Sequence, residues 1–558
     1  MGRPFHYQPA LLTLHLLGPT ADISALAQLV CARDGAGSAE GEDARLTAKR
    51  PWRRICVTAY DTPDGELRAK RRALEVARAD GGVKVRLASW AEDGWRCEER
   101  HLPTSAIPGA NGAHGAAVRP LQIDREARAN GFAPGFSTND KALAPLATLH
   151  ADEALNVIIV NDAVIEMTLM VGRVESEAAD ALTTSFGCAR VRLLRGSVET
   201  FFDWVRNAVL ASRPGLRTGL GEGAHWRCSG SSFELPRARK VRIDREADAG
   251  DALAEGLAAG AARLSEIRPY LLASRDPEAA RQARVALRRL RTFERLFREV
   301  VGGAGVRRLS RRARRLARII GAARDWEVFL NGTLVEFDPD CFEPKGAAKL
   351  RAAAARARDV AWEEVHRAVA APSYEYLVLD GLREAVTQGW RDGAAQELTA
   401  DVGTFAGRAL DASLADAVCV ADRMQPGDEA GLHDLRLALK RFRYAAQAFR
   451  ELYPKDARRP YFEALSALQE KLGALNDAVV AQDLAMRAAK GQGRAAARAA
   501  GYVCGRAAER GRQAAAAAWA DWRALVDAPR YWREETDAMP VLSLKDAGET
   551  LPLDQEEC

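Results

Sequence analysis

The chain has 558 residues, which is too many for one hydrophobic core, so we expect two or more domains. Its composition is typical of a globular protein, with 47% hydrophobic and 28% charged residues and a formal net charge of +5. Nine scattered cysteines without a Cys-x-x-Cys pair argue against a disulfide framework or a zinc site and favour a reducing, cytoplasmic location. No apolar run approaches the length of a membrane span, so no membrane partner is expected.

The first part of the chain, residues 1–235, has the pattern of a mixed, strand-rich α+β domain. Short β-branched and apolar runs alternate with Gly, Asp and Pro signals, which is typical of antiparallel strands. Residues 104–135, rich in Gly, Pro and Ala, are predicted to form an inserted loop. The predicted elements are strands at Arg54–Thr58, Val83–Ala88, Val157–Ile159, Ala163–Val171 and Ala189–Leu194, and a helix at Val198–Leu210.

From about Asp248 the pattern changes to long stretches of helical periodicity rich in alanine and arginine. We therefore predict an all-α domain over residues 242–536, joined to the first domain by the basic stretch Pro236–Arg242. The last residues, 537–558, form an acidic tail.

Two sequence markers recur in the helical part at the same offset of 152 residues. The first marker is Arg284–Arg291, RVALRRLR, which corresponds to Arg436–Arg443, RLALKRFR. The second is Ile320–Asp325, which corresponds to Leu472–Asp477. Two markers at one offset indicate a duplicated structural unit. We predict two pseudo-symmetric helical bundles, repeat one over about residues 248–395 and repeat two over about 396–536.

The repeated segment predicts a helix with two opposite faces. Between Arg281 and Arg324 the chain has fifteen arginines, no lysine and only two acids. Apolar residues Ala286, Leu290, Phe293 and Phe297 form one stripe, and arginines at the same spacing begin two positions earlier, about 200° around the helix. The second copy has the corresponding apolar stripe Ala438, Phe442, Ala445 and Phe449.

Such a row of like charges destabilises a helix unless an anion offsets it. One interpretation pairs the arginines with internal carboxylates on neighbouring helices. The alternative, which the clustering favours, is a bound polyanion held by planar guanidinium groups. A further arginine row at Arg311–Arg318 has Glu463, Ser466, Ala467 and Glu470 at the aligned positions of repeat two, so we expect repeat one to bind anions more strongly. The candidate anion-binding residues are Arg281, Arg284, Arg288, Arg289, Arg291, Arg295, Arg311, Arg315, Arg318, His433, Arg436, Lys440, Arg441 and Arg443.

His433 and two aspartates of the repeat need separate interpretations. His433 has Arg281 as its equivalent in repeat one, which argues against proton transfer and for donation to an anion. Asp325 and Asp477 are interpreted as helix N-caps or as partners that orient arginines. No residue is assigned a catalytic role, and no metal site is predicted.

At these residues the sequence resembles the CHAD domain, the conserved-histidine α-helical domain. His433, Arg436, Lys440, Arg441 and Arg443 match its pattern in repeat two. Repeat one departs from that pattern at Arg281, where the family has histidine, and matches it at Arg284, Arg288, Arg289, Arg291, Gly321, Arg324 and Asp325. The resemblance implies binding of inorganic polyphosphate along a basic surface and recruitment to polyphosphate granules.

The N-terminal part resembles a degenerate CYTH domain, an antiparallel β-barrel that forms a triphosphate tunnel. The match rests on Tyr60–Asp64 and Ile165–Met167. The Glu-x-Glu pairs that hold divalent metal in that family are lost: Leu11–Leu17 has no acid, and the later pair reads Arg190-Val191-Arg192. Only Glu166 remains of these carboxylates.

The leading hypothesis is a non-enzymatic polyphosphate-binding protein without a cofactor. The alternative is a divergent triphosphatase or polyphosphatase, which would need Mg²⁺ or Mn²⁺ and use Glu166. A third possibility is non-specific nucleic-acid binding, because the same arginines attract DNA or RNA. No motif for base recognition occurs, so sequence-specific binding is not expected. The sequence leaves the oligomeric state open.

Overall fold

The computed structural model describes residues 12–31, 44–62, 64, 66–69, 72–79, 82–90, 97–102, 143–176, 184–219, 243–298, 301, 304–391, 396–424 and 429–533. The predicted inserted loop at 104–135, the connector 236–242 and the acidic tail 537–558 lie outside these residues.

The N-terminal part forms an antiparallel sheet in which all five predicted strands are confirmed. Within the described residues the strand order is β5-β4-β3-β2-β6-β7-β8-β1-β9. The long strands β2, β6, β7 and β8 are rich in β-branched and apolar residues and form its centre. The strands are β1 Thr13–Leu17, β2 Ala44–Asp61, β3 Arg72–Ala79, β4 Gly82–Trp90, β5 Cys97–Leu102, β6 Ala144–Val160, β7 Ala163–Ser176, β8 Thr184–Arg195 and β9 Arg217–Gly219.

Both faces of the sheet bury apolar side chains, because successive residues of a strand point to opposite sides. Ile165, Met167 and Leu169 of β7 belong to a core that also contains residues of the helical part. On the other face, Val57 and Phe186 belong to a separate apolar cluster contributed by β2, β6, β7 and β8. The sheet therefore shares one hydrophobic core with the helices.

From Ala249 onward the described residues are mostly helical, as predicted. Asp248, Asp276 and Asp401 are N-caps whose carboxylates accept backbone N–H bonds at the starts of three helices. The predicted helix at Val198–Leu210 is an α-helix that continues as a π-helical turn from Val205. The helices are α1 Thr20–Cys31, α2 Glu66–Ala69, α3 Val198–Trp204, α4 Ala249–Ala273, α5 Pro277–Leu296, α6 Ala304–Val328, α7 Leu334–Glu336, α8 Pro344–Ala370, α9 Pro372–Thr387, α10 Val402–Asp422, α11 Glu429–Ala448, α12 Lys455–Ala489 and α13 Arg494–Asp527.

The long hairpin of α12 and α13 contributes to two hydrophobic cores. Near its turn, Leu484 and Val503 pack in the core that contains α5, α6 and α8. Near its base, Leu465 and Trp522 pack with α10 and α11 in a second core. The two predicted repeats are therefore interlocked, since one hairpin of repeat two packs against the helices of repeat one.

A buried polar network joins the sheet to the helical part. Glu375 on α9 accepts hydrogen bonds from Thr218 of β9, from its backbone N at 2.7 Å and from Oγ1 at 2.6 Å, and forms an ion pair with Arg268 on α4. Both charged side chains are only 4% exposed. Nearby, Arg206 of the π-helical turn donates to Asp380 on α9 at 2.8 Å. These contacts hold α4 and α9 against the sheet.

Candidate functional site

The two faces predicted for the repeated helix are present in both copies. Ala286, Leu290 and Phe293 of α5 and Phe297 just after it are at most 2% exposed, and the corresponding four residues of α11 and its end are fully buried. This burial places the arginine rows on the opposite sides of the two helices, as predicted.

The arginine rows of the two repeats meet at one place. The guanidinium carbon Cζ of Arg288 on α5 lies 4.4 Å from the ring centroid of Tyr444 on α11, a cation–π contact between the repeats. A cavity of about 210 Å³ opens beside this contact. We call it the inter-repeat pocket; it is lined by Arg288, Arg436, Lys440, Arg443, Tyr444, Gln447 and Gln469.

The cations of the inter-repeat pocket are partly withdrawn from water. Burial, reinforced by the nearby charges of Arg436 and Arg288, lowers the pKa of Lys440 to about 8. Burial also lowers the pKa of Arg288 and of Arg436. Because a desolvated cation is costly without a counter-charge, the pocket is suited to receive an anion.

Arg436 is the most buried of these cations. It is 8% exposed, and within the described part of the chain its Nε has no hydrogen-bond partner. A buried donor without a partner is uncommon in folded proteins, and a bound anion is one way to satisfy it.

Hydrogen bonds hold one wall of the pocket in place. Arg443 donates from Nη1 to Oε1 of Gln469 on α12 at 2.5 Å, and Gln469 donates from Nε2 to the carbonyl oxygen of Leu439 at 2.9 Å. Gln469, Gln447 and Tyr444 were not among the predicted site residues. The sequence did not reveal them because their side chains are neutral and so do not belong to the charge pattern. The contact of Tyr444 with Arg288 also depends on how the repeats pack.

Two predicted arginines have internal carboxylate partners. The partner of Arg281 is in the same helix, and only that of Arg284 is on a neighbouring helix, as the interpretation with internal carboxylates proposed. Arg281 forms an exposed ion pair with Glu278 at 2.6 Å, and its hydrogen bond holds the pKa of Glu278 at about 2. Arg284 donates to Asp325 at 3.3 Å. Neither arginine lines the inter-repeat pocket.

The remaining predicted residues extend the basic surface away from the pocket. The charge of Arg314 on α6 adds to burial in lowering the pKa of Arg291, so the α5 row borders the α6 row. The charge of Arg441 acts in the same way on Arg295, and that of Arg450 on Arg289. Four other predicted residues are exposed, namely Arg311, Arg315 and Arg318 on α6 and His433 on α11.

The N-cap interpretation of Asp325 and Asp477 was wrong. Asp325 lies near the end of α6 and Asp477 in the middle of α12, so neither precedes a helix. Asp is a common N-cap residue, but each helix continues through the marker. Asp325 contacts Arg284, and the charge of Asp477 acts on Arg436 and Lys440, which agrees with the orienting role.

In the sheet, Glu166 has an arginine partner. Its Oε1 lies 2.9 Å from Nη2 of Arg192 on the neighbouring strand, in the register that pairs β7 with β8. Beside it Arg190 extends toward Thr168 at 3.5 Å, and His15 of β1 is opposite Arg190. Within the described ranges no group of three or more His, Cys, Asp or Glu side chains could hold a metal ion.

The fold and the site define a duplicated helical domain with its basic faces meeting between the repeats, attached to an antiparallel sheet. Residues 255–486 match the family model of the CHAD domain, so the resemblance found in the repeated arginine pattern is confirmed for this segment. No curated protein matches the chain.

Three solved structures are similar to parts of the chain. The CHAD domain from the plant Ricinus communis is 29% identical, with a TM-score of 0.47, over 54% of this chain and 99% of its own. PptA from Streptomyces chartreusis is 22% identical, with a TM-score of 0.39, over 50% and 99%. The putative adenylyl cyclase HpAC1 from Hippeastrum, described as having a dominant triphosphatase activity, is 12% identical, with a TM-score of 0.23, over 39% and 91%. Within the described residues, no helix is long and apolar enough to cross a membrane.

Proposed function

We propose that this protein binds inorganic polyphosphate in the inter-repeat pocket and along the adjoining basic surface, and that this binding associates it with polyphosphate granules. The observation that carries the proposal is the meeting of Arg288 from repeat one with Arg436, Lys440 and Arg443 from repeat two around one pocket. Guanidinium groups bind phosphate oxygens in a bidentate manner, and four cations from two helices match a densely charged phosphate polymer.

Retention of labelled long-chain polyphosphate on a protein-binding filter tests this function. We expect retention by the full chain that weakens steeply as salt rises, because each neutralised phosphate releases counterions. Unlabelled polyphosphate should displace the label at lower phosphate concentration than duplex DNA at physiological salt. Absence of retention at low salt would contradict the proposal, and equal competition by DNA would favour the nucleic-acid alternative.

Binding should also depend on pH through Lys440. Because the pKa of Lys440 is lowered to about 8, its charge is present near pH 7 and is lost as pH rises through 8. Bound polyphosphate favours the charged form, so affinity should fall by about ten-fold between pH 7 and pH 9. Filter binding across this range measures the effect. Lys440→Arg, whose guanidinium stays charged, is the matched control and should flatten the profile; an equal fall in both proteins would show that Lys440 is not responsible.

We further propose that the sheet domain has no triphosphatase activity. The support is the pairing of Glu166 with Arg192, because a carboxylate neutralised by an arginine on the next strand is a poor metal ligand. Release of phosphate from tripolyphosphate with Mg²⁺ or Mn²⁺ would instead favour the enzymatic alternative.

A further inference from the structure

The surroundings of the inter-repeat pocket differ between the two repeats. On the side of repeat one, the row on α5 borders α6, where Arg311, Arg314, Arg315 and Arg318 are all exposed. One turn of helix separates most of these residues, so a linear polyanion lying along α6 meets a series of cations.

On the side of repeat two, the matching helix α12 has no such row. The α12 residue that lines the pocket is the neutral Gln469, whose Oε1 accepts a hydrogen bond from Arg443. The positions aligned with the α6 arginines include the exposed acids Glu463 and Glu470, and Asp477 lies close enough to act on Arg436 and Lys440. Glu463 is paired with Arg459 at 3.9 Å, but Glu470 and Asp477 would still repel a polyanion that continued over α12.

The pocket therefore has one favourable exit for a polyanion. The α6 row has the same number of cations as the pocket, but its arginines are exposed, whereas Arg288, Arg436 and Lys440 are partly withdrawn from water and interact more strongly with an anion. A terminal phosphate group carries about two negative charges near neutral pH because its second ionisation falls near pH 6, whereas an internal phosphate carries one. The most strongly charged group of the polymer is thus matched to the pocket with four cations and the partnerless Nε of Arg436.

We propose that the inter-repeat pocket captures the terminal phosphate of a polyphosphate chain and that the following phosphates lie along α6 of repeat one. This inference rests on the proposed polyphosphate binding and specifies which part of the polymer the pocket recognises. Bound in this way, the protein marks the ends of polyphosphate chains and leaves their interior uncovered.

Two phosphates of equal phosphorus content test the inference. Linear tripolyphosphate has two terminal groups, whereas cyclic trimetaphosphate has none. In calorimetric titrations of the full chain we expect the linear compound to bind at least ten-fold more tightly. Lys440→Gln should bring the ratio of the two affinities toward one. Lys349→Gln is the matched control, because Lys349 is exposed on α8, outside both the pocket and the α6 row; it should leave the ratio unchanged. Equal affinities in the wild type, or an unchanged ratio in Lys440→Gln, would overturn the inference.

The number of protein molecules per polymer gives an independent measurement. With excess protein and a long chain of defined length, sedimentation should show at most two molecules per polyphosphate chain, one for each end. A stoichiometry that grows with chain length would overturn end capture while leaving polyphosphate binding intact. If no polyphosphate of any kind binds, the proposed function itself fails, so the two failures are distinguishable.

Discussion

Replacing Arg288 and Lys440 together by glutamate is expected to lower the affinity for long-chain polyphosphate by roughly 100-fold or more. Each residue contributes a hydrogen bond to a charged group, about 1.5–3 kcal/mol, and the new carboxylates add repulsion. Because the two residues belong to different repeats and line the same pocket, the double change removes cations from both of its walls. Filter binding and calorimetry measure the loss.

The matched control is Lys345→Glu with Lys349→Glu. These two lysines are exposed on α8, and their replacement changes the net charge by the same amount. The control should retain polyphosphate within a few-fold of the wild type. If the Arg288 and Lys440 variant retained as much polyphosphate as the wild type, the assignment of the pocket as the binding site would be wrong. If the control lost as much binding as that variant, overall charge would govern binding.

Glu375→Ala is expected to destabilise the protein by about 3–5 kcal/mol, because it leaves Arg268 buried without a counter-charge. Burial already lowers the pKa of Arg268 to about 10, and Glu375 is its ion-pair partner. The change also removes the acceptor of both Thr218 hydrogen bonds. A large drop in the midpoint of thermal unfolding is therefore expected.

Two variants separate the buried charge from other effects. Thr218→Val removes one hydroxyl hydrogen bond and should cost only about 1 kcal/mol. Replacing Arg268 by Met and Glu375 by Leu together removes both charges and should restore most of the stability that Glu375→Ala loses. If the double variant is as unstable as Glu375→Ala, the ion pair is not the cause.

Local patterns predicted the elements well. The five strands were read from apolar runs between turn signals, and the faces of α5 and α11 followed from residues spaced at 3.6 per turn. These patterns are encoded by residues close together in the chain. The same local reading failed for Asp325 and Asp477, because a capping residue type was taken for a cap although each helix continues through it.

The repeated arginine pattern by itself determined that the protein has two copies of a helix with one buried and one basic face. Charge spacing along one helix depends only on local geometry, so the sequence contains it in full. Only the tertiary structure decided that Arg288 meets Tyr444 and Lys440 across the repeats, and that Arg284 is paired with Asp325. Those contacts depend on how helices far apart in the chain pack, and packing is set by the whole core shared by α5, α6, α8, α12 and α13.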